Sequence, residues 1–305
     1  MANPPSLVLH GAARAHALPA ADTRRTAREQ IGLAVLAVER AGRGALARMR
    51  RSRLLRWRYR SPAADELLLA PPDLRAADAS FADMSDILQS VKSQGEAALH
   101  ACKAHAEGQG LSIEVRLMQG VSDEFPRDFA CSARHADITV LGQPRHGDPL
   151  IGQYALVERC LFASGRPVII VPAAPATIVR PKIIVVAWDG SAQAARACND
   201  ALTFLKQAER VMLLVGVPAE PGEEGEPPID DMVAHLKRHG ITAEVVRVTL
   251  SGSDIGKLLL SKAKELHADM IVMGAFHHSR WREFILGGVT LTMLEEAKIP
   301  LFMAH

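Results

Sequence analysis

A glycine-bearing segment near the C-terminus carries the residue types best suited to hold an anion. Gly274 follows the apolar run 269–273, and Gly287 and Gly288 open a stretch with helical spacing at 288–297. Glycine lets backbone N–H groups approach a ligand closely because it has no Cβ. A helix N-terminus adds unpaired N–H groups and the positive end of the helix dipole, so the segment predicts a phosphate site. An alternative is that these glycines only make turns.

A second polar position follows another apolar run, residues 182–188. Asp189, Gly190 and Ser191 end that run, and open parallel sheets bind ligands at the carboxyl ends of their strands. The Asp189 carboxylate could accept a hydrogen bond from a base or a ribose. The alternative is that Asp189 caps the helix that follows.

Metal binding and catalysis have weaker support. His277 and His278 are adjacent, and adjacent side chains rarely converge on one ion, so we expect no metal. The acidic residues between 220 and 226 indicate a solvated loop rather than a cation site. We find no Ser/His/Asp or Cys/His pattern, so the sequence predicts no dedicated enzyme. A slow ATPase or a transferase that uses His277 or His278 stays open.

The elements that would position these residues alternate along the second half of the chain. Apolar runs predict strands at 182–188, 210–217, 241–249, 269–273 and 299–303. Helical spacing predicts helices at 192–205, at 229–239 with Gly240 as C-cap, from Ser251 or Ser253 to 267, and at 288–297. Alternating strands and helices imply crossover connections, and therefore a doubly wound parallel sheet.

The first half of the chain repeats this pattern more weakly. Residues 110–116 resemble 240–247, residues 135–137 followed by Gly142 resemble 267–269 followed by Gly274, and residues 166–171 resemble 299–303. Such a repeat predicts two similar domains, residues 1–176 and 181–305, with a linker at 172–180. We expect the last strand of each copy, 168–171 and 301–303, to pair in an intrachain pseudo-dimer, since an exposed apolar edge is a liability.

Residues 1–75 differ in composition from the rest of the chain. They hold 14 Arg and no Lys, whereas every Lys lies at position 92 or later. A short first strand is predicted at 6–9. The Arg-rich residues 43–60 allow two interpretations, a patch for nucleic acid or acidic lipid and an irregular segment. We favour the second because no nucleic-acid-binding motif accompanies the charge.

The four cysteines are far apart and show no metal or redox spacing: Cys102, Cys131, Cys160 and Cys198. They are expected to be buried thiols in a reducing compartment, which predicts a cytoplasmic protein. No run approaches eighteen apolar residues, so no membrane span is expected.

The two glycine-bearing motifs together resemble the universal stress protein family in its tandem two-domain form. That family's pattern is glycine, two residues, glycine, nine residues, glycine, then serine or threonine. Gly274 and Gly287 fall in register, while His277 occupies the second glycine position and Gly288 the serine or threonine position. Residues 186–191 match the family's first-strand signature. The resemblance covers 182–305 well, 90–176 weakly and 1–75 hardly at all.

This resemblance implies an α/β fold of two similar domains. Each would be a parallel five-stranded doubly wound sheet, Rossmann-like in the order 3-2-1-4-5, and the first would be degenerate. It also implies ATP or AMP as ligand. Carried over by position, the nucleotide contacts would be Ala187, Trp188, Asp189, Gly274, His277, Gly287, Gly288, Val289 and Thr290.

The roles of these residues also follow from the resemblance. Asp189 would meet the base or ribose, beside the bulky Trp188. Gly274 and His277 would line the phosphates, and the backbone N–H groups of residues 287–289 would bind them. Thr290 could replace the missing hydroxyl. In the first copy Gly142 keeps only the first glycine, so no nucleotide is expected there.

These observations predict a cytoplasmic stress-response protein that binds an adenine nucleotide in its C-terminal domain, as a sensor or regulatory module. Two alternatives remain, a nucleotide-free protein-interaction module with decayed sites and a slow ATPase. The side chains of His277 and Trp188 favour the interaction module. A homodimer is possible, and nucleic acid is not an expected partner.

Overall fold

The computed structural model describes residues 6–13, 34–38, 93, 96–97, 99–101, 103–104, 108, 112–119, 124–144, 151–172, 181–218, 229–250, 254–275 and 288–305. The predictions for residues 43–60, the acidic loop at 220–226, Cys102, His277, His278 and Gly287 lie outside the described residues. Contacts divide the chain into two units, Met1–Arg166 and Pro167–His305. The predicted domains 1–176 and 181–305 follow the sequence repeat instead, and they stay a prediction.

Four described strands form the sheet of the first unit: β1 (Ser6–Ala13), β2 (Ala34–Val38), β3 (Ser112–Gln119) and β4 (Ile138–Gly142). The unit also contains helices α1 (Glu124–Ala133) and α2 (Ile151–Ala163). The predicted strand at 6–9 is confirmed and extends to Ala13.

The strand order of the first unit differs from the expected one. Its described strands neighbour one another in the order β3-β1-β2-β4. β1 is parallel to β3, but β2 runs antiparallel to both β1 and β4. The all-parallel order 3-2-1-4-5 is therefore wrong for this unit. The short apolar run of β2 can return antiparallel without a helical crossover, and the Arg-rich residues that follow it lack the continuous apolar run of a buried parallel strand.

Six described strands lie in the second unit: β5 (Val168–Val171), β6 (Ile183–Trp188), β7 (Arg210–Pro218), β8 (Ala243–Leu250), β9 (Met270–Gly274) and β10 (Leu301–Ala304). β6 to β10 are parallel and neighbour one another in the order β8-β7-β6-β9-β10. Counted from β6 this is 3-2-1-4-5, so the predicted fold is confirmed for residues 181–305.

Helices connect these strands: α3 (Ala192–Asp200), α4 (Leu202–Leu205), α5 (Asp230–Arg238), α6 (Ile255–Glu265) and α7 (Gly288–Glu296). Central strand residues such as Val186, Met212 and Val272 are fully buried. Burial on both faces explains why these strands read as continuous apolar runs. Among the described residues, no helix is long and apolar enough to cross a membrane.

Local sequence signals predicted one helix end correctly and another incorrectly. Gly240 follows α5 with φ +77°, the left-handed conformation predicted for a glycine C-cap. The predicted caps Ser251 and Ser253 are wrong for α6, because Asp254 is its N-cap and accepts a hydrogen bond from the Lys257 N–H at 3.0 Å. That backbone hydrogen bond is the main cause that lowers the pKa of Asp254.

The last strand of the chain pairs with β5, as the sequence predicted. β5 and β10 are antiparallel, with Leu301 opposite Ile170 and Met303 opposite Val168. The pairing covers an apolar edge of the parallel sheet. The intrachain pseudo-dimer stays a prediction.

Candidate functional site

The order of the parallel strands creates a crevice between the carboxyl ends of β6 and β9. From β6 the chain crosses to β7 on one side, and from β9 it crosses to β10 on the other side. Such a reversal is a topological switch point, where open α/β sheets bind ligands. Val186 pairs with Val272, and Trp188 and Gly274 each lie two residues further along. The sheet therefore brings Asp189 and Gly274 to one edge.

Asp189 shapes the turn that leads into α3. Its Oδ1 accepts a hydrogen bond from the Ser191 N–H at 2.9 Å, and the intervening Gly190 has φ +76°. Ser191 is the N-cap of α3, since its Oγ accepts from the Ala194 N–H at 3.0 Å. The alternative that Asp189 itself caps the helix is therefore wrong. The exposed Asp189 side chain is fixed at the edge of the sheet by the turn.

Gly274 is required by the packing of β9 against α3. A Cβ at this position would lie 2.6 Å from the backbone nitrogen of Ala194 and 2.8 Å from the carbonyl carbon of Gln193. Its φ is not positive, because the described glycines with positive φ are at 165, 190 and 240. The sequence suggested a sharp turn here. The structure instead gives close contact between a strand and a helix backbone as the reason for glycine.

Gly288, the first residue of α7, has a different environment. It is exposed, its φ is not positive, and no described atom lies within 4 Å of the place a Cβ would take. Neither packing nor backbone conformation therefore requires glycine among the described residues. A helix start without a Cβ leaves its amide groups open to an anion.

The other residues predicted to contact the nucleotide differ in how deeply they are buried. Thr290 is 4% exposed and shares a face of α7 with the buried Met293 and Leu294, which gives its side chain a packing position. Trp188 is also buried, and Ala187 and Val289 are half-buried. The predicted contacts His277 and Gly287 lie outside the described residues. The nucleotide roles of all these residues stay predictions.

Asp269 is a positioning residue that sequence reasoning missed. Its Oδ2 accepts hydrogen bonds from the N–H groups of Lys182 and Ile183, at 2.8 and 2.9 Å. These bonds hold the first residues of β6 against the start of β9. The signal was present in the sequence, because the triplet His267, Ala268 and Asp269 occurs in both halves of the chain.

The described cysteines do not present a reactive thiol at this edge. Burial raises the pKa of both Cys160 and Cys198 to about 12, so both stay protonated and inert near neutral pH. The buried-thiol interpretation is confirmed for these two, while Cys131 is half-buried. Nor do three His, Cys, Asp or Glu side chains cluster as metal ligands in the part of the chain that the structure describes.

This fold is a doubly wound α/β domain, and its switch-point edge is the place where such sheets bind ligands. Residues 181–305 match the model of the universal stress protein family. The second half of the chain is therefore similar to universal stress protein domains.

Solved structures agree with this fold. The chain is similar to a universal stress protein from Archaeoglobus fulgidus DSM 4304, with 20% identity, 72% of this chain and 78% of that chain covered, and a TM-score of 0.58. At this identity the likeness shows the fold alone. A universal stress protein family member from Burkholderia pseudomallei is 28% identical over 40% of this chain and 94% of its own, with a TM-score of 0.30.

A universal stress protein in complex with cAMP also matches, with 20% identity over 41% of this chain and 97% of its own and a TM-score of 0.33. No curated protein matches the chain.

Proposed function

We propose that residues 181–305 bind an adenine nucleotide, ATP or AMP, and that the protein is a cytoplasmic stress-response sensor or regulatory module. The observation that carries the proposal is the start of α7. Gly288 stands there although neither its φ nor any described neighbour requires glycine. At this exposed helix start the first amides can meet an anion, and no side chain at 288 hinders its approach.

The position of Asp189 supports the same ligand. It lies at the carboxyl end of β6, beside β9, where the strand order reverses. The hydrogen bond from Ser191 engages Oδ1 and thereby orients the carboxylate at the sheet edge. A carboxylate held there can accept a hydrogen bond from a ribose hydroxyl or a base amino group.

The proposed role is binding rather than turnover. The two thiols with a pKa raised to about 12 cannot serve as nucleophiles near neutral pH. Slow ATP hydrolysis that uses His277 or His278 is the enzymatic alternative. Steady-state hydrolysis at ordinary enzyme rates, abolished in His277→Ala or His278→Ala, would establish that alternative.

Calorimetric titration of ATP and AMP into the full chain tests the proposal. We expect Gly288→Asp to abolish binding, since a carboxylate at the helix start would repel the phosphates. The fold should persist because no described atom outside the neighbouring residues and its own helix backbone stands within 4 Å of that position. Asp189→Ala should weaken binding by about 1–3 kcal/mol, the usual value for a lost hydrogen bond to a charged group. Gly142→Asp, in the first unit, is the matched control and should bind like the parent chain.

A second candidate, a nucleotide-free interaction module, has one observation in its favour. The packing of Gly274 against Ala194 explains that glycine without any ligand. Failure of the parent chain to bind either ATP or AMP would favour this candidate. Unchanged affinity in Gly288→Asp would instead move the binding site away from α7.

A further inference from the structure

Two histidines and an amide meet on the surface of the second unit, where α5 lies beside α3. His235 and His239 are four residues apart, and their ring centroids are 4.7 Å from each other. The Nε2 of His235 lies 2.9 Å from the Oδ1 of Asn199 on α3. His239 is the C-cap of α5, one turn after His235, so its ring and the amide of Asn199 both lie next to the His235 ring.

The amide of Asn199 is oriented by the backbone of its own helix. Its Nδ2 donates a hydrogen bond to the carbonyl oxygen of Ala195 at 2.8 Å. The amide oxygen therefore faces His235, and the Nε2–H of the imidazole donates to it. Oxygen and nitrogen atoms that can both coordinate a metal ion are thus held next to each other.

A buried contact fixes the two helices beside these groups. The Sγ of Cys198 lies 3.7 Å from the Sδ of Met232, and both side chains are buried. Cys198 immediately precedes Asn199, and Met232 precedes His235 by three residues. Packing of this kind holds ligand-bearing helices at a constant separation.

We propose that His235 and His239, with Asn199 as a third ligand, bind a divalent transition-metal ion such as Zn²⁺, Ni²⁺ or Cu²⁺. Imidazole nitrogen suits these ions. Two ligands of a tetrahedral ion with bonds of about 2.1 Å lie about 3.4 Å apart. The His235 and Asn199 donor atoms, 2.9 Å apart in their hydrogen bond, would therefore separate by about 0.5 Å to admit the ion. When Nε2 of His235 binds the metal, the remaining ring proton resides on Nδ1.

The proposed metal site is separate from the proposed nucleotide site. This site lies on α5 and α3 and involves none of the residues in the proposed nucleotide site, so the two proposals can fail separately.

Calorimetric titration of Zn²⁺ into the untagged, EDTA-stripped full chain is the direct test. We expect His235→Gln and His239→Gln each to weaken Zn²⁺ binding by about tenfold or more, since even changes in residues that only hold the ligands of a metal site in place weaken binding that much. His267→Gln, an exposed histidine of the same unit outside the cluster, is the control and should bind like the parent. Asn199→Asp should tighten binding because a carboxylate is a stronger ligand than an amide.

Several results would overturn the proposal. The parent chain could bind none of Zn²⁺, Ni²⁺ or Cu²⁺, or both cluster variants could bind Zn²⁺ like the parent. Loss of binding in His277→Gln or His278→Gln, with binding unchanged in His239→Gln, would place the ion elsewhere. Circular dichroism of each variant separates loss of ligands from loss of fold.

Discussion

Gly142 and Gly274 occupy the same place in the sequence repeat but have different surroundings. Each ends the strand that follows a His-Ala-Asp triplet. A Cβ at 274 would lie 2.6 Å from the α3 backbone, whereas no described atom lies within 4 Å of a Cβ at 142. The same residue at equivalent positions of the repeat therefore does not imply the same contact. Within the described part of the chain, packing requires glycine at 274 but not at 142.

The two His-Ala-Asp triplets differ in backbone conformation and hydrogen bonding. His267 adopts φ +53°, and Ala268 donates to the carbonyl of Ala263 at 2.9 Å, the long hydrogen bond of a Schellman motif. In the first unit Ala136 instead donates to the carbonyl of Ala133 at 3.1 Å, which is a tighter turn. In the second half, this helix end places Asp269 where its carboxylate accepts hydrogen bonds from Lys182 and Ile183 at the start of β6.

The largest effect is expected at the glycine that packs on α3. Gly274→Ala should lower the free energy of unfolding by about 3 kcal/mol, the upper end for overpacking, because the contacted atoms belong to backbone. Gly142→Ala should change it by less than about 0.5 kcal/mol. Chemical denaturation followed by circular dichroism measures both. Equal effects of the two substitutions would contradict the packing difference.

A smaller effect is expected at the aspartates. Asp269→Ala removes the acceptor of two backbone N–H groups at the start of β6, and it should destabilise the second unit by about 1.5–3 kcal/mol. Asp137→Ala, at the equivalent position of the first unit, is the matched variant and should cost less than about 0.5 kcal/mol. Thermal unfolding provides the measurement, and a larger loss in Asp137→Ala would show that the first unit uses its aspartate similarly.

The smallest effect is expected at the histidines, and its sign should reverse between the halves. His267→Gly relieves a left-handed backbone and should raise the free energy of unfolding by about 0.5–1 kcal/mol. His135 has no positive φ. His135→Gly should therefore lower the free energy of unfolding by about 0.5 kcal/mol, the entropic cost of glycine. Unfolding curves that move in the same direction for both variants would contradict the difference between the two helix ends.

The fold of residues 181–305 could be predicted because each local signal agreed with the global arrangement. Apolar runs gave the strands, Gly240 gave a helix end, and the alternation of elements gave the parallel order. The first unit could not be predicted this way. The apolar run of β2 carries no mark of its direction, so periodicity could not reveal that it returns antiparallel to β1.

The candidate site was only partly predictable for a related reason. The sequence placed Asp189 and Gly274 at one sheet edge, since both end parallel strands. It could not show that Gly274 contacts Ala194, because these two residues are distant in the chain. Nor could it show that Thr290 is buried, because burial depends on what packs against α7. The pairing of His235 with Asn199 was missed for the same reason, although the spacing of His235 and His239 was readable.

Hydrogen–deuterium exchange of the full chain, with and without saturating ATP, tests most directly whether the nucleotide binds the second half alone. We predict slower exchange for the amides of residues 189–191 and 288–290 when ATP is present, because ligand contacts protect them. Residues 142–144 and 151–156 should exchange at unchanged rates. Protection of the first-half residues, or no ATP-dependent protection at 288–290, would contradict the proposed site.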